Sequence, residues 1–131
     1  WATGGAREAD IPVGAGNDIL QGGGGSHTLS GGAGRDVFVL TDLTASDVIS
    51  DFDVPVGVIS PTGVDQIDLT ALVTLMAGEV LSDQVDYNNL SGNLNVNGNA
   101  VANVTASAGG FAPEVEVIFN DANNMQATAV I

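Results

Sequence analysis

The chain has 131 residues, 44% of them hydrophobic, with 16 Asp and Glu against two basic residues and a formal charge of −14. That length and apolar content suffice for one domain with a real core and exclude a chain disordered throughout. The charge excludes nucleic acid and anionic membrane as partners and favours cations, and the absence of cysteine removes disulfides and thiolate metal sites.

At the amino end, "WATGGAREAD" has neither a basic segment nor an apolar stretch of the kind a cleavable signal peptide needs. No run of 18 apolar residues follows, so no membrane insertion is expected. The chain opens at Trp1 inside a repeat already under way, which predicts a piece of a longer protein. That repeat is clearest in "VGAGNDILQ", "GGGGSHTLS" and "GGAGRDVFV", residues 13–39, which hold nine glycines in 27 residues. A worn copy, "GGAREADIP", precedes them in the same register. The eighth position of the four copies is Ile11, Leu20, Leu29 and Phe38, always apolar, whereas the sixth is Ala9, Asp18, His27 and Asp36.

Each nonapeptide reads as a six-residue turn, whose glycines accept positive φ and leave carbonyls exposed, followed by a three-residue strand with its central side chain inward. Two nines make one coil, so turns 18 residues apart stack on the same edge. Ordering nine residues costs roughly 9–18 kcal/mol of backbone entropy, and one buried Leu or Phe returns only about 1.5–3 kcal/mol. A single repeat therefore cannot stand, and stacking with bound cations must supply the rest.

The spacing G-G-x-G-x-D-x-U-x, held over three consecutive copies, resembles the RTX (repeats-in-toxin) calcium-binding nonapeptide family. The resemblance implies a short parallel β-roll with Ca²⁺ held between turns by carbonyl and carboxylate oxygens, the hard ligands this ion prefers. On that reading the best site stacks the turn carrying Val13, Ala15, Gly16 and Asp18 on the turn carrying Gly31, Gly32, Ala33, Gly34 and Asp36. The opposite edge, Gly4–Ala9 on Gly22–His27, lacks both carboxylates and is expected to bind calcium weakly or not at all. His27 reads there as a degenerate turn position facing solvent.

The following blocks, "DVFV", "SDVISDFD" and "GVDQIDLTAL", are similar to the segment after the repeats in serralysin-type proteases and other type I secretion substrates. Strand alternation places Asp47, Asp51 and Asp53 on one face with Ile49, and Val48, Phe52 and Val54 on the other. The resemblance implies that Asp47, Asp51 and Asp65 or Asp68 close the last calcium sites, while Asp53 points into water and Asp42 is a weaker candidate. "DLTALVTLMAG" predicts a short helix capped by Asp68, with Leu69, Leu72, Val73 and Met76 inward and Gly78 as its stop. Asn97-Gly98 between alternating segments predicts a hairpin. A second hairpin is expected from "PEVEVIFN" and Gln126–Ile131, with Val115, Val117 and Phe119 on one face.

The expected fold is all-β: a short parallel β-roll over residues 1–45, then a β-rich cap with one short helix over 46–131 that also resembles an export signal region. One histidine and no cysteine leave no zinc-protease motif or zinc cluster, and the tetraglycine at Gly22–Gly25 lacks the Lys-Ser/Thr of a phosphate loop, so no enzyme is expected. The resemblance implies a secreted, extracellular or cell-surface bacterial protein. Its partners would be calcium ions and the type I secretion machinery, with self-association possible. The task would be calcium-dependent folding on export, capping a larger adhesin or exoenzyme. The alternative is a calcium-dependent structural subunit of a surface layer or filament.

Overall fold

A computed structural model describes residues 2–5, 10–54, 64–107 and 109–131. The glycine repeats form strands of two or three residues: β1 (Ala2–Thr3), β2 (Asp10–Pro12), β3 (Ile19–Gln21), β4 (Thr28–Ser30) and β5 (Val37–Val39). Successive strands enter opposite sheets, so that β1, β3 and β5 lie in one and β2 and β4 in the other. All of these pairings are parallel, with Ala2 beside Leu20, Leu20 beside Phe38 and Ile11 beside Leu29. Two nonapeptides thus complete one coil, as the spacing predicts. Calls that fall on residues 6–9 and 55–63 lie outside the described residues.

The coils continue past the last regular nonapeptide. Strand β6 (Asp47–Phe52) lies on β4 with Ile49 beside Leu29, and β7 (Gln66–Asp68) lies on β5 with Ile67 beside Phe38. Three antiparallel strands follow, β8 (Val85–Asn88), β9 (Asn93–Val96) and β10 (Asn99–Ala106), and β10 joins β6 in parallel. The final hairpin, β11 (Glu116–Asn120) and β12 (Gln126–Val130), joins β7 through β11. The result is two six-stranded sheets, β1-β3-β5-β7-β11-β12 and β2-β4-β6-β10-β9-β8.

Between the sheets runs one core. Leu20, Phe38, Ile67 and Val117 come from the first sheet and Leu29, Ile49 and Val104 from the second, each fully buried. Phe38 meets Phe52 with ring centroids 6.1 Å apart, a spacing at which aromatic pairs attract beyond their buried area. The Asn97-Gly98 turn has φ of 50° and 82°, the left-handed pair that a two-residue hairpin loop requires.

The structure corrects two expectations. Residues 68–78 form turns, and among the described residues the one helical element is a 3-10 turn, Leu81–Asp83. Asp68 does cap the segment, accepting from the Thr70 amide at 2.9 Å and hydroxyl at 2.7 Å. After one turn, closed by Val73 N–H on the Leu69 carbonyl, Thr74 leaves to bridge Asn120 in parallel. The backbone bonds Asn120 to Val73 and Leu75 to Asn120 satisfy groups that a second helical turn would have used, and Met76 is left 67% exposed.

The alternation along β6 also breaks. Asp47 and Ile49 point inward with Val48 outward, yet Phe52 is buried, because the register against β10 shifts between the Ile49 and Phe52 pairings. Such a bulge flips the faces. Asp47 and Asp51 therefore serve opposite edges of the roll rather than one charged face.

Candidate metal centre

One edge of the roll gathers the turns that lead into β3, β5 and β7. The Gly16 amide donates to the Ala33 carbonyl at 2.8 Å and the Val13 amide to the Ser30 carbonyl at 2.9 Å, which fixes turn 13–18 on turn 31–36. Asp36 reaches back one coil, its Oδ1 accepting the Asp18 amide at 2.8 Å. Asp65 does the same for the next coil: Oδ1 accepts the Asp36 amide and Oδ2 the Asp53 amide, both at 2.8 Å. Asp51 accepts the amides of Gly31 at 3.0 Å and Gly32 at 2.8 Å, and the Ser30 hydroxyl at 2.7 Å.

Glycine is required where these turns touch. Gly34 has φ 130°, and a Cβ there would run into the Gly16 carbonyl oxygen. Gly32, at φ 84°, would likewise strike the carbonyl of Gly14. Two carbonyl oxygens of the upper turn are thus held directly against the lower one.

Burial pushes the Asp65 carboxyl up to about 7, the charges of Asp36 and Asp53 acting in the same direction and the two amides only partly offsetting them. Burial also raises Asp36, helped by the charges of Asp18, Asp51 and Asp53. One oxygen of Asp36, Oδ2, is buried with no hydrogen-bond partner, and a Cβ on Gly31 would collide with it. Anionic oxygens crowded together without donors lack a cation to neutralise them.

This edge therefore brings together Val13, Ala15, Gly16, Asp18, Gly31, Gly32, Ala33, Gly34, Asp36, Asp51 and Asp65. The sequence reading omitted Gly14 and Asn17. Gly14 is the 18-residue counterpart of Gly32, a signal the register already carried, and Asn17 Oδ1 accepts the Arg35 amide at 2.9 Å. Asp53 is half-buried, its carboxylate accepting the Ser107 hydroxyl.

The opposite edge holds His27, Asp42, Asp47 and Asp68. Asp68 ends β7 and caps the Thr70 turn, and Asp42 is held below the usual carboxylate range by the Thr44 hydroxyl and amide. His27 does not face solvent: it is 2% exposed. Asp47 Oδ1 accepts its amide at 2.8 Å and lies 3.2 Å from Nδ1. Burial raises the Asp47 carboxyl, and the bonds from His27 partly oppose the rise.

Among the described residues, no three side chains of His, Cys, Asp and Glu converge on one point. Any ion at either edge must therefore be held largely by backbone carbonyls, which suits a hard cation with many oxygen ligands. The donor set on the Asp18–Asp36 edge fits calcium: carbonyls of glycine turns, an orphaned carboxylate oxygen and raised neighbouring carboxyls.

Comparison with known proteins agrees. Residues 13–40 match the family model described as the RTX calcium-binding nonapeptide repeat (4 copies). The chain is also similar to a solved structure, the C-terminal domain (RV) of MpAFP, at 28% sequence identity and a TM-score of 0.59, covering 93% of this chain and 97% of that one. No curated protein gives a significant match. Residues 13–40 are an array of RTX calcium-binding nonapeptide repeats, a family that binds calcium ions, set in an all-β roll.

Proposed function

We propose that the chain is a calcium-gated carboxy-terminal segment that folds during export by type I secretion and caps a larger extracellular protein, an adhesin or an exoenzyme. The carrying observation is the Asp18–Asp36–Asp65 edge, where buried carboxylates and glycine carbonyls meet without a cation of their own. Its similarity over nearly its whole length to a domain described as C-terminal supports the terminal position. The proposed ligands are the carbonyls and carboxylates of Val13, Ala15, Gly16, Asp18, Gly31, Gly32, Ala33, Gly34 and Asp36, with Asp51 and Asp65 closing the edge. Asp47 and Asp68 belong to the other edge.

Functionally the chain divides near residue 45. The repeats of 1–45 supply the calcium response, and 46–131 supply the strands that cover the end of the roll. Calcium, when bound, supplies the positive charge this edge lacks. At about ten times a Kd near 10⁻⁴ M, each occupied site adds about 1.4 kcal/mol to folding. Two or three such sites are a large fraction of a marginal domain's stability. Where calcium is scarce, repulsion and glycine entropy keep the repeats unfolded and fit for threading.

Calcium titration followed by circular dichroism and light scattering tests the reading. A cooperative gain of β structure in a monomer is expected, and growth into ordered multimers would favour the filament alternative. Asp36→Ala should raise the calcium midpoint several-fold, since it removes both the orphaned oxygen and the acceptor for the Asp18 amide. A chain folded equally well after calcium is stripped would overturn the proposal.

A further inference from the structure

His27 occupies the position at which the repeats beside it carry Asp18 and Asp36, and its imidazole is buried between coils. A carboxylate can only accept, so the 3.2 Å contact with Asp47 places the ring hydrogen on Nδ1 and leaves a lone pair on Nε2. Among the described residues that Nε2 is buried without a hydrogen-bond partner.

Nε2 faces Gly4. A Cβ built on Gly4 would come within 2.8 Å of Nε2 and would also strike the carbonyl oxygen of Gly22. A nitrogen lone pair and a carbonyl oxygen thus border one small space that glycine keeps open. Both are acceptors, and two acceptors facing one space are satisfied together only by something electropositive.

The ring is also held as metal-binding histidines are held, with the distal nitrogen hydrogen-bonded to a carboxylate that fixes tautomer and orientation. Imidazole nitrogen is a poor ligand for calcium, which prefers oxygen, and a good one for zinc, nickel or copper. We propose that this edge takes one first-row divalent ion, of which zinc is the type, in place of calcium. His27 Nε2 is the nitrogen ligand, glycine carbonyls of the stacked turns complete the site, and Asp47 is a positioning residue. The roll would then carry two chemically distinct edges, one closed by a hard ion and one by a borderline ion.

The test adds zinc to the chain in excess calcium, with circular dichroism to read the fold, calorimetry to count zinc and nitrogen NMR to follow the imidazole. Excess calcium occupies the exposed carboxylates, so weak surface binding is suppressed. One zinc per chain is expected, with a large shift of the Nε2 resonance and at least ten-fold weaker binding in His27→Ala. His27→Asp should lose the zinc and gain a calcium. Equal zinc binding by wild type and His27→Ala would overturn the proposal. So would an Nε2 resonance that zinc leaves unmoved, because a proton or a water then fills the space, and this readout stands even if a variant fails to fold.

Discussion

Gly34→Ala should raise the calcium midpoint for folding at least ten-fold. The residue sits at φ 130°, and its missing side chain is the space taken by the Gly16 carbonyl. Alanine there adds backbone strain of about 1–2 kcal/mol and pushes apart the two turns that hold Asp18 and Asp36. Gly98→Ala is the control. Gly98 also has positive φ, 82°, but a Cβ there meets nothing within 4 Å, so only the conformational cost of about 1 kcal/mol applies and the calcium midpoint should barely move. Calcium titrations of the two variants, followed by circular dichroism, separate turn stacking from glycine content. A Gly34→Ala midpoint within two-fold of wild type would contradict the stacking argument.

In the calcium-free protein, acid should partly replace the ion. Asp65 has its carboxyl raised from an ordinary 3.8 to about 7, and Asp36 and Asp47 are raised as well, all mainly by burial. An acid whose pKa is higher in the folded chain binds more protons folded than unfolded. The resulting stability is fully present below about pH 4 and is lost as pH rises to about 7 for Asp65. Each such group can change the folding equilibrium by up to about ten-fold per pH unit within its window.

Protein stripped of calcium before acidification should therefore gain β structure between pH 7.5 and 4.5. Added salt at pH 7.5, which screens surface charge, should not reproduce the gain. A flat or falling β signal on acidification would show that the buried carboxyls do not oppose folding. Calcium and protons compete for the same oxygens, so the calcium-induced change should also shrink toward pH 5.

The repeats were legible because nothing interrupts the spacing of Ile11, Leu20, Leu29 and Phe38, and spacing alone fixes which turns stack. The same column runs on through Ile49 and Ile67, but it is hidden by longer turns. Ile49 follows Leu29 by 20 residues and Ile67 follows Phe38 by 29. Lengthening a closed loop from 18 to 29 residues costs only about 0.4 kcal/mol, so the fold keeps its column where the sequence loses its period.

His27 was misread for the same reason. Its partner Asp47 lies 20 residues on, outside any 18-residue register, so nothing in the repeat pattern shows the imidazole covered. The Asn97-Gly98 hairpin was legible because its turn chemistry is local. The helix at 68–78 failed because Asn120, a distant strand end, took the backbone bonds at Val73 and Leu75, and a helical pattern cannot reveal such a competitor.

The carboxylates that link coils all face one way. Asp36 accepts from Asp18, Asp65 from Asp36, and Asp47 from His27; each tethers the coil that precedes it in the chain. The roll consequently has a built-in arrow: a coil added at the amino end finds its anchor already in place, whereas trimming from the carboxy end unfastens whatever lies upstream. Such an array can be lengthened or shortened at its start without disturbing the rest, while its finish is indispensable.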